Sequence, residues 1–190
     1  MTDLSQISIV ILAGGEGRRM GGKDKGLIEY QGKPLIEHVL SRLPAGLGHV
    51  MVSANRNQDT YQLYAEVLED KEYVLHGPLS GILEAMKHSH SEYLLCLPCD
   101  TPYLPHELIP RLFDALQKEQ VDVAFAASES RSHYVICLVR CSLQEVLREF
   151  LASGQRRVAV WLQQQSHCQV LFEGDEQPFM NINQQQELQA

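Results

Sequence analysis

Short apolar runs alternate with amphipathic segments along the chain. The first run, residues 7–12 (ISIVIL), is rich in β-branched residues and ends just before a pair of glycines, which is typical of a buried parallel strand. After Pro34, apolar residues recur at helical spacing up to Leu43 and Pro44 follows, so a helix is predicted there. The same reasoning predicts strands at residues 49–53, 73–75, 93–97, 121–126 and 134–139, and helices at residues 57–66, 79–87, 105–118, 143–151 and 156–164.

Strands that alternate with helices predict an α/β fold, in a Rossmann-like three-layer arrangement whose mostly parallel sheet is covered on both faces. With 190 residues, the chain is expected to form one domain over residues 1–190. Sheets of this kind bind ligands at the carboxyl ends of their strands. The loops expected to line one such site follow Leu12, Ser53, Leu75 and Leu97.

Charge is unevenly distributed along the chain. The 24 acidic and 16 basic residues give a net charge of -8, which disfavours a surface for nucleic acid. Residues 14–25 run against this trend, since four basic and two acidic residues give them a local charge of +2. Five of the 13 glycines lie in the same stretch, so the backbone can approach a bound anion closely. This stretch is therefore a candidate site for a small anion.

The apolar runs are far shorter than the roughly 18 residues that span a bilayer, so no membrane contact is expected. The first six residues lack the charged start and apolar core of a signal peptide, and we expect a cytoplasmic protein. Five cysteines at irregular spacing indicate buried thiols rather than disulfides. The pair Cys96-x-x-Cys99 has no second pair at the spacing of a zinc site and is interpreted as part of the core.

The glycine-rich stretch matches neither of two common phosphate-binding motifs. The dinucleotide fingerprint G-x-G-x-x-G requires a third glycine where Met20 stands. The Walker A motif ends in serine or threonine, whereas here Asp24 would bring a carboxylate next to a triphosphate. The loop nevertheless carries four basic residues, Arg18, Arg19, Lys23 and Lys25. Its length and charge favour a triphosphate site over a solvated loop whose glycines only make turns.

The sequence resembles the nucleotidyltransferases that transfer a nucleoside monophosphate and release pyrophosphate. The resemblance begins with LAGG-x-G-x-RMG at residues 12–21 and continues through Asp24-Lys25 and the GKPL of residues 32–35. Within this superfamily the chain is most similar to the molybdenum cofactor guanylyltransferases, over essentially its whole length. The narrower resemblance rests on RRMGG (18–22), ANR (54–56), GPL-x-G (77–81), CDTP (99–102), RRV (156–158) and N-x-N (181–183).

This resemblance implies a fold of the nucleotidyltransferase type and an activity. GMP would pass from GTP to the phosphate of the molybdenum-molybdopterin cofactor, with Mg²⁺ as the metal, to give molybdopterin guanine dinucleotide and pyrophosphate. It also implies transient contacts with proteins that supply the cofactor and with molybdoenzymes that accept it. A cytidylyltransferase of the same cofactor and a transferase acting on a sugar or polyol phosphate stay open as alternatives. A non-catalytic carrier of nucleotide or cofactor is the alternative from another class.

The resemblance also implies roles for individual residues. Asp100 follows a predicted buried strand, where its carboxylate is placed to bind Mg²⁺, although a cap of the next segment is the alternative. Lys25 and Arg19 would bind the β- and γ-phosphates and stabilise the departing pyrophosphate. The implied catalytic residues are Arg19, Lys25 and Asp100, and Asp100 is the implied metal ligand. The residues implied to bind GTP are Leu12, Ala13, Gly14, Gly15, Lys25, Ser53, Asp70 and Asp100.

Two of these assignments have competing interpretations. Asp70 aligns with an acid that the family uses near the guanine, but its acidic neighbours also suit an exposed surface position. Ser53 stands where the family often has asparagine, and a serine cannot present an amide pair. Asn55, two residues further on, can contribute instead.

The last candidates concern the second substrate and the metal. Asn181 and Asn183 lie on one face of an extended segment, where they either reach the metal or the incoming phosphate or form an Asx turn. Arg156 and Arg157 stand at the start of the helix predicted over residues 156–164. They either bind the second substrate, whose molybdopterin carries a phosphate, or are surface charges at the helix end.

Overall fold

A computed structural model describes residues 3–14, 24–73, 77–174 and 176–182, and strands alternate with helices along them. The strands are β1 (Ile7–Leu12), β2 (Glu29–Tyr30), β3 (Lys33–Pro34), β4 (Val50–Ser53), β5 (Glu66–Leu68), β6 (Tyr93–Pro98), β7 (Val123–Ala127), β8 (Ser132–Arg140) and β9 (His167–Leu171). The helices are α1 (Leu35–Ser41), α2 (Gln58–Tyr61), α3 (Pro78–His88), α4 (Leu108–Glu119), α5 (Gln144–Ala152) and α6 (Val158–Gln163). None of these described helices is long and apolar enough to cross a membrane.

Among the described residues, seven strands form one sheet in the order β5-β4-β1-β6-β8-β7-β9. Within it only β8 runs antiparallel to its neighbours. The central strand β1 pairs in parallel with β4 on one side and with β6 on the other. Its register places Leu12 opposite both Ser53 and Pro98, so the three strands end at the same edge. The predicted α/β class with a mostly parallel sheet is confirmed.

Helices cover both faces of the sheet. Successive side chains of a strand point to opposite sides, so each strand packs against helices on both faces. On one face Ile9 and Ile11 of β1 pack in a cluster with residues of α1 and α4. On the other face Val10 and Leu94 pack with residues of α3, α5 and α6. Burial on both faces explains why these strands are apolar throughout instead of alternating with polar residues. The resulting three layers hold the carboxyl edge of the sheet in a fixed position.

The helix predicted over residues 57–66 is wrong, and the strand predicted next to it can be compared at one residue only. The helix expected over residues 57–66 is reduced to the single turn α2, and β5 begins where that helix was expected to end. Tyr61 is fully buried, and its carbonyl accepts hydrogen bonds from the N–H groups of Tyr64 and Ala65, which closes the turn. Parallel pairing of β5 with β4 then outweighs helical propensity. The strand expected at residues 73–75 does not include Tyr73, and residues 74 and 75 lie outside the described part of the chain.

The hydrophobic pattern does not predict the hairpin β2–β3 or the edge strand β9. The hairpin turns at Gln31-Gly32, and both residues have positive φ angles, of 48° and 79°, as a tight hairpin turn requires. Tyr30 of this hairpin packs with Leu35 and Ile182 in a separate small cluster. Two-residue strands are too short to show a period of two. The hairpin therefore connects the start of α1 with the segment around Ile182.

Helix α3 lies close to the ends of β1 and β4, and Gly81 permits this approach. A Cβ atom at Gly81 would lie 2.8 Å from Ser53 Cβ and 2.9 Å from Leu12 Cδ2, and closer still to Ser53 Oγ. Real side chains do not approach one another so closely, and Ser53 is itself buried. The absence of a side chain at Gly81 thus allows the helix to hold Ser53 and Leu12 at the edge of the sheet.

We expect Gly81→Ala to destabilise the fold, because Ser53 and Leu12 would have to move. Overpacking of this kind costs about 1–3 kcal/mol, which exceeds the gain of up to about 1 kcal/mol from replacing glycine in a helix. Thermal or chemical unfolding measures the difference. Lys118→Ala on α4 is an exposed control, expected to change the free energy of unfolding by less than about 0.5 kcal/mol. An unchanged stability of Gly81→Ala would contradict the packing argument.

Candidate functional site

The loops at the carboxyl edge of the sheet enclose a cavity of about 260 Å³. The loops after Leu12 and Leu97 meet there as expected, Ser53 reaches it from the end of β4, and Gly77 and Pro78 complete the wall at the start of α3. The candidate residues that line this cavity are Leu12, Ala13, Gly14, Lys25, Ser53, Asp70, Asp100 and Asn181. Three further candidates, Gly15, Arg19 and Asn183, lie outside the described residues.

An ion pair between Lys25 and Asp100 forms the charged centre of the cavity, with Lys25 Nζ 3.0 Å from Asp100 Oδ2. Asp100 lies two residues after the end of β6 and its side chain is only 6% exposed, whereas Lys25 opens a 3-10 turn and its side chain is 31% exposed. A buried carboxylate needs such a partner, because an unpaired buried charge is costly. Among the described residues, the Asp100 side chain makes no hydrogen bond to the segment that follows, so the capping alternative is not supported.

The thiols near this centre are unreactive. All five cysteines are free, and Cys96 and Cys99 are both buried. Burial, together with the negative charges of Asp100 and Asp24, raises the pKa of Cys99 far above its ordinary value. Burial also raises the pKa of Cys96, with a smaller effect from the neighbouring Cys137. These thiols stay protonated at neutral pH, which agrees with their interpretation as part of the core.

Asp70 is buried at the opposite wall of the cavity, so its interpretation as an exposed acid is wrong. Asn55 holds it from two sides: Asn55 Nδ2 donates to Asp70 Oδ2, and the backbone N–H of Asp70 donates to Asn55 Oδ1, each at 2.9 Å. The other carboxylate oxygen, Oδ1, is buried and has no hydrogen bond of good geometry among the described residues, although the Ser53 side chain lies close enough to lower the pKa of Asp70 slightly. Burial raises the pKa of Asp70, Glu84 adds to the rise, and the bond from Asn55 opposes it. One wall of the cavity thus contains a buried carboxylate whose hydrogen-bonding capacity the described residues satisfy only in part.

The turn after β1 is fixed by backbone bonds to the strands on both sides. The N–H of Ala13 donates to the carbonyl of Ser53 at 2.9 Å, and the N–H of Cys99 donates to the carbonyl of Leu12 at 3.3 Å. Gly14 lies beside the amide of Asn55, since a Cβ atom there would be 3.5 Å from Asn55 Nδ2. This turn therefore presents main-chain groups to the cavity from a rigid frame.

Asn181 reaches the cavity on a segment that is attached at two points. The backbone N–H of Ile182 donates to the carbonyl of Asp100 at 2.9 Å. Phe179 stacks on His133 of β8, with the ring centroids 4.6 Å apart. Asn181 lies between these two attachments, so its position depends on both.

A second cavity of about 450 Å³ adjoins the first. Pro98, Val135 and Asn181 line both cavities. Polar and basic side chains around the second cavity are Arg131, Ser132, His133, Tyr134 and Arg157. Burial, with the nearby positive charge of Arg131, lowers the pKa of His133, so the ring is neutral at neutral pH. Of the two adjacent arginines considered from the sequence, Arg157 lines this cavity, and Arg156 is exposed and is not part of its lining.

The roles of three contributors to the site do not follow from the sequence pattern, although Asn55 and Gly81 lie within the motifs ANR and GPL-x-G. Asn55 does more than substitute for Ser53, because its amide holds Asp70 in place. Gly81 matters for the close approach of α3, and a lone glycine in a helical pattern gives little warning of this. Val135 lines both cavities because β8 enters the sheet antiparallel, beside β6. Strand order of this kind cannot be inferred from local periodicity.

The described residues combine an acid–lysine pair, a glycine-containing turn after β1 and a buried hydrogen-bond acceptor at the carboxyl edge of a mostly parallel sheet. This arrangement is typical of α/β proteins that bind a ligand at the carboxyl edge of the sheet. A family profile described as the MobA-like NTP transferase domain matches residues 9–168. The chain belongs to this family.

Relatives of known name are similar over nearly the whole chain. A molybdenum cofactor guanylyltransferase of Shewanella putrefaciens is 38% identical over 184 residues, which cover 96% of this chain and 94% of that protein. Proteins of the same name from Mannheimia succiniciproducens and Haemophilus influenzae are 42% and 41% identical over 178 residues. The matches cover 93% of this chain in both cases, and 94% and 93% of those proteins.

Solved structures confirm the Rossmann-like nucleotidyltransferase fold. A molybdopterin-guanine dinucleotide biosynthesis protein A from Archaeoglobus fulgidus superposes with a TM-score of 0.74 at 22% identity, covering 96% of this chain and 95% of that one. A nucleotidyl transferase from Methanothermobacter gives a TM-score of 0.69 at 20% identity, covering 95% and 93%. At these identities the likeness concerns the fold alone.

We expect Asp70→Asn to make the ligand-free protein more stable at neutral pH. Because the native pKa of Asp70 is raised above 3.8, the native state takes up this proton at a higher pH than the unfolded chain does. The contribution of Asp70 to the free energy of unfolding therefore increases as the pH falls through its native pKa toward 3.8. At neutral pH the buried charge lowers the free energy of unfolding, and asparagine removes that charge.

Unfolding of both proteins over this pH range measures the effect. The advantage of Asp70→Asn is expected to be largest at neutral pH and to vanish as the pH falls to 3.8. A variant no more stable than the unsubstituted protein at neutral pH would show that Asp70 is satisfied without a ligand.

Proposed function

We propose that this protein transfers GMP from GTP to the phosphate of the molybdenum-molybdopterin cofactor, giving molybdopterin guanine dinucleotide and pyrophosphate. The observation that carries the proposal is the match, along almost all of both chains, to relatives named molybdenum cofactor guanylyltransferase. The cavity supports it, because nucleotidyl transfer needs a metal ligand and a cation for the phosphates, and Asp100 and Lys25 stand together there.

Mg²⁺ is the metal that we propose for the reaction. Asp100 and Asn181 fit it, since both carry oxygen donors and line the same cavity, and Mg²⁺ is commonly held by one or two protein oxygens together with phosphates and water. When bound, the ion would supply positive charge that offsets the negative charge developing on the leaving group. Asp100 is the proposed direct ligand.

The proposed reaction is a displacement at the α-phosphate of GTP. An oxygen of the acceptor phosphate bonds to the α-phosphorus while the bond to pyrophosphate breaks. Lys25 moves from Asp100 to the β- and γ-phosphates, where it acts with Arg19 to stabilise the departing negative charge. This exchange leaves the Asp100 carboxylate free for the metal, and no covalent intermediate with the protein is required.

Guanine is proposed to bind between Asp70 and the turn after β1. The carboxylate of Asp70, which the described residues satisfy only in part, can accept from the N1–H and the 2-amino group of guanine, a pair of donors that adenine lacks in that arrangement. The backbone of Leu12, Ala13, Gly14 and Gly15 and the hydroxyl of Ser53 are proposed to contact the rest of the nucleoside.

The second cavity is proposed to hold the body of the molybdopterin acceptor. It borders the first cavity at Asn181, so an acceptor lying in it can place its phosphate near the α-phosphate of GTP. Arg157 and Arg131 suit a negatively charged acceptor, and Tyr134 offers an aromatic surface for its ring system. Arg156 lies next to Arg157 and is the further candidate for this role.

A cellular location and partner proteins are proposed as well. We propose that the reaction takes place in the cytoplasm, and that the protein contacts cofactor-supplying proteins and molybdoenzymes transiently, because free molybdopterin is labile. A cytidylyltransferase, a sugar-phosphate or polyol-phosphate transferase and a non-catalytic carrier remain the competing functions. These functions differ in which nucleotide, if any, supports the release of pyrophosphate.

Pyrophosphate release with molybdopterin and each NTP in turn tests the proposed function. GTP is expected to support release, and Asp100→Ala is expected to lower kcat at least about 100-fold while the melting temperature changes little. Asp114→Ala, an exposed acid on α4, is the matched control and should retain full activity. A preference for CTP, no release with any nucleotide, or full activity of Asp100→Ala would overturn the proposal.

We expect Arg157→Ala to raise the KM for molybdopterin about tenfold, the effect of one lost charged hydrogen bond, with the KM for GTP unchanged. Arg156→Ala is the matched neighbour, and a smaller change is expected because Arg156 does not line the cavity. Steady-state kinetics with each substrate varied separately measures both constants. Equal changes in both KM values, or none, would place the acceptor elsewhere.

A further inference from the structure

Asp24 immediately precedes Lys25, yet the residue is only 7% exposed and does not line the cavity. Oδ1 accepts a hydrogen bond from the hydroxyl of Tyr61, and Oδ2 accepts one from Asn57 Nδ2 at 3.2 Å. Both oxygens therefore have partners within the protein. The repulsion between this carboxylate and a triphosphate, expected from the sequence, is relieved because the charge is turned toward α2.

Tyr61 is suited to hold this carboxylate because its hydroxyl stays protonated. Burial raises the pKa of Tyr61 far above its ordinary value of 10, and the negative charge of Asp24 adds to the rise. The phenol also lies against Gly26, where a Cβ atom would come within 2.5 Å of Tyr61 Oη. A side chain at position 26 would displace the phenol, so Asp24, Gly26 and Tyr61 fit together only in this arrangement.

The same contacts determine the direction of Lys25. The carbonyl of Asp24 accepts from the N–H of Leu27, and the carbonyl of Lys25 accepts from the N–H of Ile28, each at 3.2 Å. These bonds form the short turn from which Lys25 reaches Asp100. Because the Asp24 side chain is attached to α2, the start of the turn is fixed relative to the sheet.

We propose that Asp24 is a positioning residue, whose hydrogen bonds to Tyr61 and Asn57 hold the turn so that the ammonium group of Lys25 faces Asp100 and the phosphates of the bound nucleotide. This inference rests on the proposed function for the identity of the ligand. Asp24 acts through Lys25 and does not itself touch the nucleotide or the metal.

Affinity for GTP in the presence of Mg²⁺, measured by calorimetry, is the primary test. Tyr61→Phe keeps the volume of the ring but removes one donor to Asp24, and Asp24→Asn removes the charge. Each is expected to weaken GTP binding about tenfold, the size of one hydrogen bond to a charged group. Tyr64→Phe is the matched control, because Tyr64 also donates to a carboxylate, that of Glu37 at 3.2 Å, away from the site. The affinity of Tyr64→Phe for GTP is expected to stay unchanged.

A double-mutant cycle with Lys25→Ala separates positioning from general stability. If Asp24 acts through Lys25, Tyr61→Phe and Asp24→Asn lose their effect on GTP binding once Lys25 is alanine, while any loss of thermal stability remains. An equal loss of affinity in both backgrounds, or a loss of stability with affinity unchanged, would overturn the inference. Lys25→Ala that leaves GTP affinity unchanged would contradict the phosphate-binding role in the proposed function, and the inference would fail with it.

Exchanging the two side chains gives a rescue test. In Asp24→Asn with Asn57→Asp, the amide of residue 24 can donate to the carboxylate of residue 57, so the hydrogen bond is restored in reverse. Asn57 is exposed and has a left-handed backbone, with φ of 49°, which aspartate also tolerates. The double variant is expected to recover GTP affinity to within about threefold of the unsubstituted protein, since one hydrogen bond is regained. Affinity no better than that of Asp24→Asn alone would overturn the inference.

Discussion

The register between β1 and its two parallel neighbours is the constraint on which the site depends. Because Leu12 pairs with both Ser53 and Pro98, three strands end in one row, and the residues that follow them emerge at the same edge. Parallel strands need crossover helices, and the close approach of α3 at Gly81 completes the row from one face. A shift of one residue in any of these pairings would turn core side chains toward the wrong layer.

Three buried carboxylates at this edge are stabilised in three different ways. Asp100 is paired with a cation, which a polyphosphate can attract away. Asp24 is satisfied by two neutral donors and is thereby withdrawn from ligands. Asp70 has one oxygen bonded to Asn55 and one that the described residues satisfy only in part. The three proposed roles, namely a metal ligand, a positioning group and an acceptor for a base, thus follow from the partners of each carboxylate and not from its residue type.

The alternation of apolar strands and helices was sufficient to infer the fold class and the edge at which the site lies, because buried parallel strands carry an unbroken apolar signal. The same signal failed over residues 57–66, where pairing with β4 overrode local propensity. Motifs pointed to Asp100 and Lys25, since each lies next to a strand end or glycine turn. The support from Asn55 and Tyr61 was not foreseeable, because it joins segments brought together only by the completed sheet.

Pro98, Val135 and Asn181 form a wall common to the two cavities, so binding in one cavity can affect binding in the other. Ligands on either side of one wall are not independent when each contacts the same side chain. If a nucleotide on one side changes the affinity for an acceptor on the other, thermodynamic linkage requires the acceptor to change nucleotide affinity by the same factor. Asn181 is held from two sides, because its neighbour Ile182 donates to the carbonyl of Asp100 and Phe179 stacks on His133 of β8. Cooperative binding of the nucleotide and the molybdopterin acceptor would therefore originate at Asn181.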